Sequence, residues 1–168
     1  MLKGLRCGKR GDAEIISYVI ITFIVIVIIM LITTELIPTI EENQSKQRFE
    51  QSKQYIDKID SEITKLAQEP TGSSSQLAIN LNRLYLNIDA DNNKIEIYHI
   101  MTGNYYDNNL KIKDGTKYTY RNFQKLYAGV EYDEIDITQD LSAENRFVYL
   151  YLTKTDKNKI KIELTAGQ

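Results

Sequence analysis

The chain has 168 residues with a formal net charge of −2, a length that accommodates one modest domain beside a membrane segment. Lys3, Arg6, Lys9 and Arg10 crowd residues 1–11 without an acid, so the rest of the chain is net acidic and lacks the broad basic character that nucleic-acid binding needs. The single cysteine, Cys7, excludes an intramolecular disulfide, and an apolar run that follows the cysteine rather than precedes it is not the order of a lipoprotein signal.

That run extends from Ile15 to Ile32. Only Ser17, Tyr18 and Thr22 carry polar groups in it, and none is charged. As a helix it is about 27 Å long, close to a hydrocarbon core of about 30 Å. Its Ile, Val and Phe residues contribute on the order of −4 to −8 kcal/mol to insertion. A buried core helix of this composition would need a larger and less polar domain around it. Basic residues precede the run, while Glu35, Glu41 and Glu42 follow it. The positive-inside bias therefore predicts a cytoplasmic N-terminus and an extracellular C-terminal body. The stretch TTELIPTIEE after Ile32 offers no small-residue cleavage site of the secretory kind, so the segment is expected to stay with the protein as a single-pass anchor.

The order Lys9-Arg10-Gly11-Asp12-Ala13-Glu14, followed by the apolar run, resembles the class III signal of type IV prepilins and archaeal pilin-like proteins. The resemblance implies cleavage between Gly11 and Asp12 by a prepilin-type peptidase, with loss of Cys7 in the leader. It also implies an assembly role for Glu14, whose carboxylate would pair with a neighbouring subunit's terminal amine. An acid left unpaired at that depth is costly. In the family that glutamate is the fifth mature residue, whereas Glu14 would be the third. The alternative reading of the same residues is an uncleaved anchor whose basic leader only sets topology.

After Pro38, which is expected to kink the helix, residues 41–68 hold neither Gly nor Pro. Phe49, Ile56, Ile59, Ile63 and Leu66 recur at helical spacing, with Ser52 in the vacant position, and predict a stripe packed on the following domain. The preceding EENQSKQR is polar all round and reads as a stalk crossing solvent. It contains the only N-x-[ST] sequon, which makes Asn43 a candidate glycosylation site. Glu69-Pro70-Thr71-Gly72 ends the helix.

From there the period changes to two. KIEI at 94–97, LKIK at 110–113, FVYLYLT at 147–153 and KIKIEL at 159–164 alternate as strands do. The 147–153 stretch is apolar on both faces and is placed centrally. Leu81 and Leu84 differ in parity, which requires a turn or bulge at Asn82-Arg83. Asp89–Asn93 and Asp156-Lys157-Asn158 are predicted turns. Six to eight antiparallel strands are expected.

No catalytic set is legible. His99, the only histidine, falls in phase with Ile95 and Ile97 and is expected to be half-buried and satisfied. Asp89-x-Asp91-x-Asn93 opens like a calcium loop but lacks the required Gly and the distal carboxylate. The acids Asp133, Glu134, Asp136 and Asp140 read as a solvated loop. Tyr105, Tyr106, Tyr118, Tyr120, Tyr127 and Tyr132 crowd one third of the chain. Tyrosines in this density serve interfaces or simply suit strands.

The expected architecture is α+β, a long N-terminal membrane-spanning helix followed by an antiparallel β-sheet head, as in pilins. Its parts are a leader at 1–11, a transmembrane helix at 12–37, an amphipathic helix or stalk at 38–68, a linker at 69–76 and a β-rich extracellular domain at 77–168. The expected role is that of a structural subunit, not an enzyme, with no cofactor and no metal. Its partners would be membrane lipid, a prepilin-type peptidase, and pilus subunits or other membrane proteins contacted through the N-terminal helix, with no nucleic acid. The alternative is an uncleaved membrane protein whose β domain binds a ligand or a partner.

Overall fold

A computed structural model describes the backbone of residues 9–101 and 112–167 and the side chains of residues 16–101 and 112–167. The chain divides into two compact units, one ending at Glu41 and one beginning at Glu42.

The first unit is helical. Helix α1 covers Lys9–Leu31 and is followed by a π-helical turn, Ile32–Leu36, and then by the start of α2, Ile37–Gln68. From Ile16 to Leu31 every side chain is exposed, and the continuous helix that begins with this stretch is the one among the described residues long and apolar enough to cross a membrane. The irregularity expected at Pro38 takes the form of the widened turn just before it, where the Ile37 N–H donates to the Ile32 carbonyl. Proline has no N–H for a carbonyl one turn back. Widening the turn is one way a helix accommodates the missing donor, and three threonines add side-chain hydrogen bonds to carbonyls nearby. Thr34 Oγ1 donates to the Met30 carbonyl at 2.8 Å, and Thr33 Oγ1 lies 3.0 Å from those of Ile29 and Met30. Thr39 Oγ1 donates to the Glu35 carbonyl at 2.7 Å.

Among the described residues the second unit joins the remainder of α2 to ten strands. They are β1 (Ser74–Asn80), β2 (Tyr85–Asp89), β3 (Lys94–Ile100), β4 (Ile112–Asp114), β5 (Lys117–Asn122), β6 (Lys125–Glu131), β7 (Asp136–Ile137), β8 (Leu141–Glu144), β9 (Phe147–Asp156) and β10 (Lys159–Ala166). Two sheets form, in the orders β1-β9-β10-β7 and β4-β5-β6-β3-β2-β8. All pairs are antiparallel except the short β10–β7 pair. The expected single sheet of six to eight strands is thus two sheets with more strands. The parity conflict at Asn82-Arg83 marks the place where the chain leaves the first sheet for the second. Arg83 makes that turn at φ 58°.

The α2 stripe is buried as its spacing predicts. Phe49, Ser52, Ile56, Ile59, Ile63 and Leu66 all face inward, and the apolar members share one core with Ile79, Leu86, Ile97, Val130, Leu150 and Ile162 from both sheets. Each fully buried Ile or Leu contributes about 1.5–3 kcal/mol. Strand β9 is central between β1 and β10, with Val148, Leu150 and Leu152 in the core. The stripe starts one turn earlier than expected. Ser45, read as part of a solvent-crossing stalk, is 1% exposed, because its hydroxyl meets His99 on β3 at 2.9 Å.

The far end of α2 is closed by a charged residue that continues the inward alternation of Val148, Leu150 and Leu152. Lys154 of β9 is buried, and its Nζ donates to the carbonyls of Ala67 at 2.5 Å and Glu69 at 2.6 Å. Those carbonyls are orphaned by the helix end, where the partial negative charge favours a cation.

Candidate functional site

The face of the six-stranded sheet that carries the tyrosines is built by alternation. Each of its tyrosines has the opposite parity to core aliphatics such as Leu86, Ile97, Leu126 and Ala128, so it points away from them. Register then aligns four of them across four strands: Tyr120 pairs with Tyr127, Tyr127 with Tyr98, and Tyr98 with Tyr85. Strand spacing of about 4.8 Å becomes ring spacing. Tyr85 stacks on Tyr98 at 4.9 Å, Tyr98 meets Tyr127 at 4.9 Å, and Tyr127 stacks on Tyr120 at 4.4 Å. The Lys125 ammonium lies 4.7 Å over the Tyr98 ring, a favourable cation–π placement.

The adjacent row runs Tyr118, Gly129, Glu96. Gly129 is needed there because a Cβ would come within 2.6 Å of the Tyr118 ring. The ring lies across the glycine, and Tyr118 Oη donates to Glu96 Oε1 at 2.7 Å, joined by Tyr120 Oη at 3.2 Å. Burial, then the Glu96 carboxylate, push both phenols above the ordinary tyrosine range. They therefore remain neutral donors at any physiological pH. Beside these rows lies an open concavity of about 560 Å³, lined by Tyr85, Tyr98, Tyr120 and Tyr127 with Glu96 and Arg146.

Inserting a flat group between two rings needs about 7 Å, twice the ~3.5 Å van der Waals contact. The ladder therefore offers ring edges, hydroxyls, a carboxylate and a guanidinium to whatever approaches. A hydroxyl beside a base occurs there as Tyr118 and Tyr120 on the Glu96 carboxylate, both phenols held neutral. Ser45 and His99 also form such a pair by distance, but they are 1% and 0% exposed and no substrate reaches them. His99 is not the half-buried, satisfied residue expected from sequence: it is fully enclosed, and its Nδ1 has no hydrogen-bond partner among the described residues. Burial, aided by the Arg48 charge, lowers its pKa to about 4, so it is a neutral structural group near pH 7.

The residues singled out from sequence are dispersed. Gly11, Asp12 and Glu14 belong to α1, with side chains outside the described residues. Asn43 is exposed on α2, whereas the Ser45 hydroxyl of its sequon is turned inward to His99. Tyr105 and Tyr106 lie outside the described residues. Tyr132 is no part of the ladder; it is buried and donates to Asp60 of α2 at 3.1 Å. Asp89 accepts from the backbone N–H and side chain of Asn92, closing the β2–β3 turn, and Asp140 accepts from the Ala90 N–H at 2.7 Å. Among the described residues no three His, Cys, Asp or Glu side chains group as a metal site requires. Tyr85 and Tyr98 were the members that clustering along the chain passed over. Their alternation with Leu86 and Ile97 was visible, but their place beside Tyr127 depends on strand pairing.

Comparison with protein-family models, with curated proteins and with solved structures found no match.

Proposed function

We propose that the chain is a membrane-anchored, pilin-like structural subunit of a surface filament, processed after Gly11 by a prepilin-type peptidase. The observation that carries this reading is the uncharged apolar helix immediately behind a basic, glycine-terminated leader. A span of this length suits a hydrocarbon core, and the side chains that it exposes from Ile16 to Leu31 would be solvated by lipid or by neighbouring helices. The β-bearing unit is then the outward-facing head. Its work is contact, not catalysis.

Co-expression with a prepilin peptidase tests the proposal. The product is expected to begin at Asp12 on N-terminal sequencing, and Gly11→Val is expected to retain the leader. An intact leader in both proteins would overturn peptidase processing and favour the second reading, an uncleaved anchor whose head binds a ligand or partner. The tyrosine ladder and its concavity are the observation that supports that second reading.

A further inference from the structure

All four arginines of the second unit, Arg48, Arg83, Arg121 and Arg146, gather at one end of it. Leu126 pairs with Arg121 on one side and with His99 on the other. His99 touches Ser45, three residues before Arg48, and the Arg48 charge interacts with both His99 and Arg83. The Arg83 turn abuts the Arg146 turn: the Leu81 N–H donates to the Arg146 carbonyl at 2.9 Å, and the Asn145 N–H donates to the Leu84 carbonyl at 3.3 Å. The β5–β6 hairpin closes at this end as well, with Phe123 at its tip.

Phe123 is 89% exposed and sits at φ 53°, a left-handed conformation that bulky residues rarely adopt. Arg121 Nε donates to the Phe123 carbonyl at 2.8 Å and holds the tip. Lys125 follows two residues later. The opposite end, where the β2–β3 turn, the β4–β5 turn and the chain after β6 are tied together, carries Asp89, Asp91, Asp114, Asp133, Glu134 and Asp140. A net acidic unit is thus basic at one pole. That pole is also where the chain enters, since the unit begins at Glu42, three residues before Ser45.

We propose that this pole docks on an anionic phospholipid surface, Phe123 entering the boundary between headgroups and acyl chains while Arg83, Lys125 and Arg146 face lipid phosphates. The inference rests on the reading of the apolar helix as a membrane anchor. Guanidinium groups match phosphate geometry, and an aromatic side chain between cations is the composition of an interfacial contact. Each cation near an anionic surface favours the docked state about fivefold. The acidic pole is repelled by the same surface, so the charge asymmetry orients the unit.

The chain has no tryptophan, so Phe123→Trp and, separately, Phe23→Trp are clean reporters. Each full-length variant is reconstituted in bilayers of phosphatidylcholine alone or mixed with phosphatidylglycerol, with bromine-labelled acyl chains as quencher. Phe23→Trp is expected to be quenched in both bilayers, and Phe123→Trp chiefly in the anionic one. Adding Arg83→Gln and Arg146→Gln is expected to lower the docked-to-undocked ratio about 25-fold. An unquenched Phe123→Trp beside a quenched Phe23→Trp overturns the docking and leaves the anchor standing. An unquenched Phe23→Trp overturns the anchor reading itself. Quenching of Phe123→Trp that ignores lipid charge, or protection that follows protein density, assigns the tip to another contact and overturns the proposal.

Discussion

His99 shows how one enclosed side chain imposes a pH limit on the fold. Its folded pKa of about 4 lies below the value of about 6.5 for an unfolded histidine. Between those values the unfolded chain binds more protons, so stability falls as pH drops through that window and is fully present above it. The loss from this group is about 2 kcal/mol at pH 5 and about 3 kcal/mol at pH 4. Thermal unfolding in detergent at pH 7.5 and pH 5 measures it, and His99→Leu is expected to shrink the difference between the two. Gly129 is a second residue with a sharp tolerance. Gly129→Ala places a methyl group against the Tyr118 ring, and overpacking of this kind costs about 1–3 kcal/mol. The Tyr118–Glu96 hydrogen bond is expected to be lost with it, read as a fall of the Tyr118 pKa toward the ordinary phenol range.

At the scale of elements, α2 is held at both ends by groups from the β-strands. Ser45 meets His99 near its entry, and Lys154 closes its exit. Lys154→Met keeps the bulk of the side chain and removes both donors, leaving the Ala67 and Glu69 carbonyls without them. A cost of about 1–3 kcal/mol is expected, with faster amide exchange in the last turn of α2 as its local signature. The stripe from Phe49 to Leu66 was legible because burial at helical spacing leaves an imprint on composition. Ser45 and Lys154 were not, because a serine or a lysine leaves no apolar trace when buried and their partners lie 54 and 87 residues away. The strands themselves were readable by alternation. Their division between two sheets was not, since a change of parity at Asn82-Arg83 looks the same from the sequence whether it is a bulge or a passage between sheets.

For the whole molecule, the exposed apolar surface of α1 and the pairing of two sheets with a helix answer different questions. The former predicts fractionation: the full-length protein is expected to stay in the membrane pellet after alkaline carbonate extraction, and recovery in the supernatant would refute anchoring. That expectation came from composition alone, because an uncharged run needs no tertiary information to be recognised. The tyrosine face did need it. Local alternation set the direction of each ring, but their contact arises from pairings such as β3 with β6, which bring distant segments side by side. Tyr118, Tyr120 and Tyr127 were therefore noticed as a crowd, and Tyr85 and Tyr98 were not. The stacked phenols also give the protein a built-in optical signature. With no indole to mask them, coupled aromatic transitions should dominate its near-ultraviolet circular dichroism, so strand slippage anywhere in the row could be watched spectroscopically without attaching a dye.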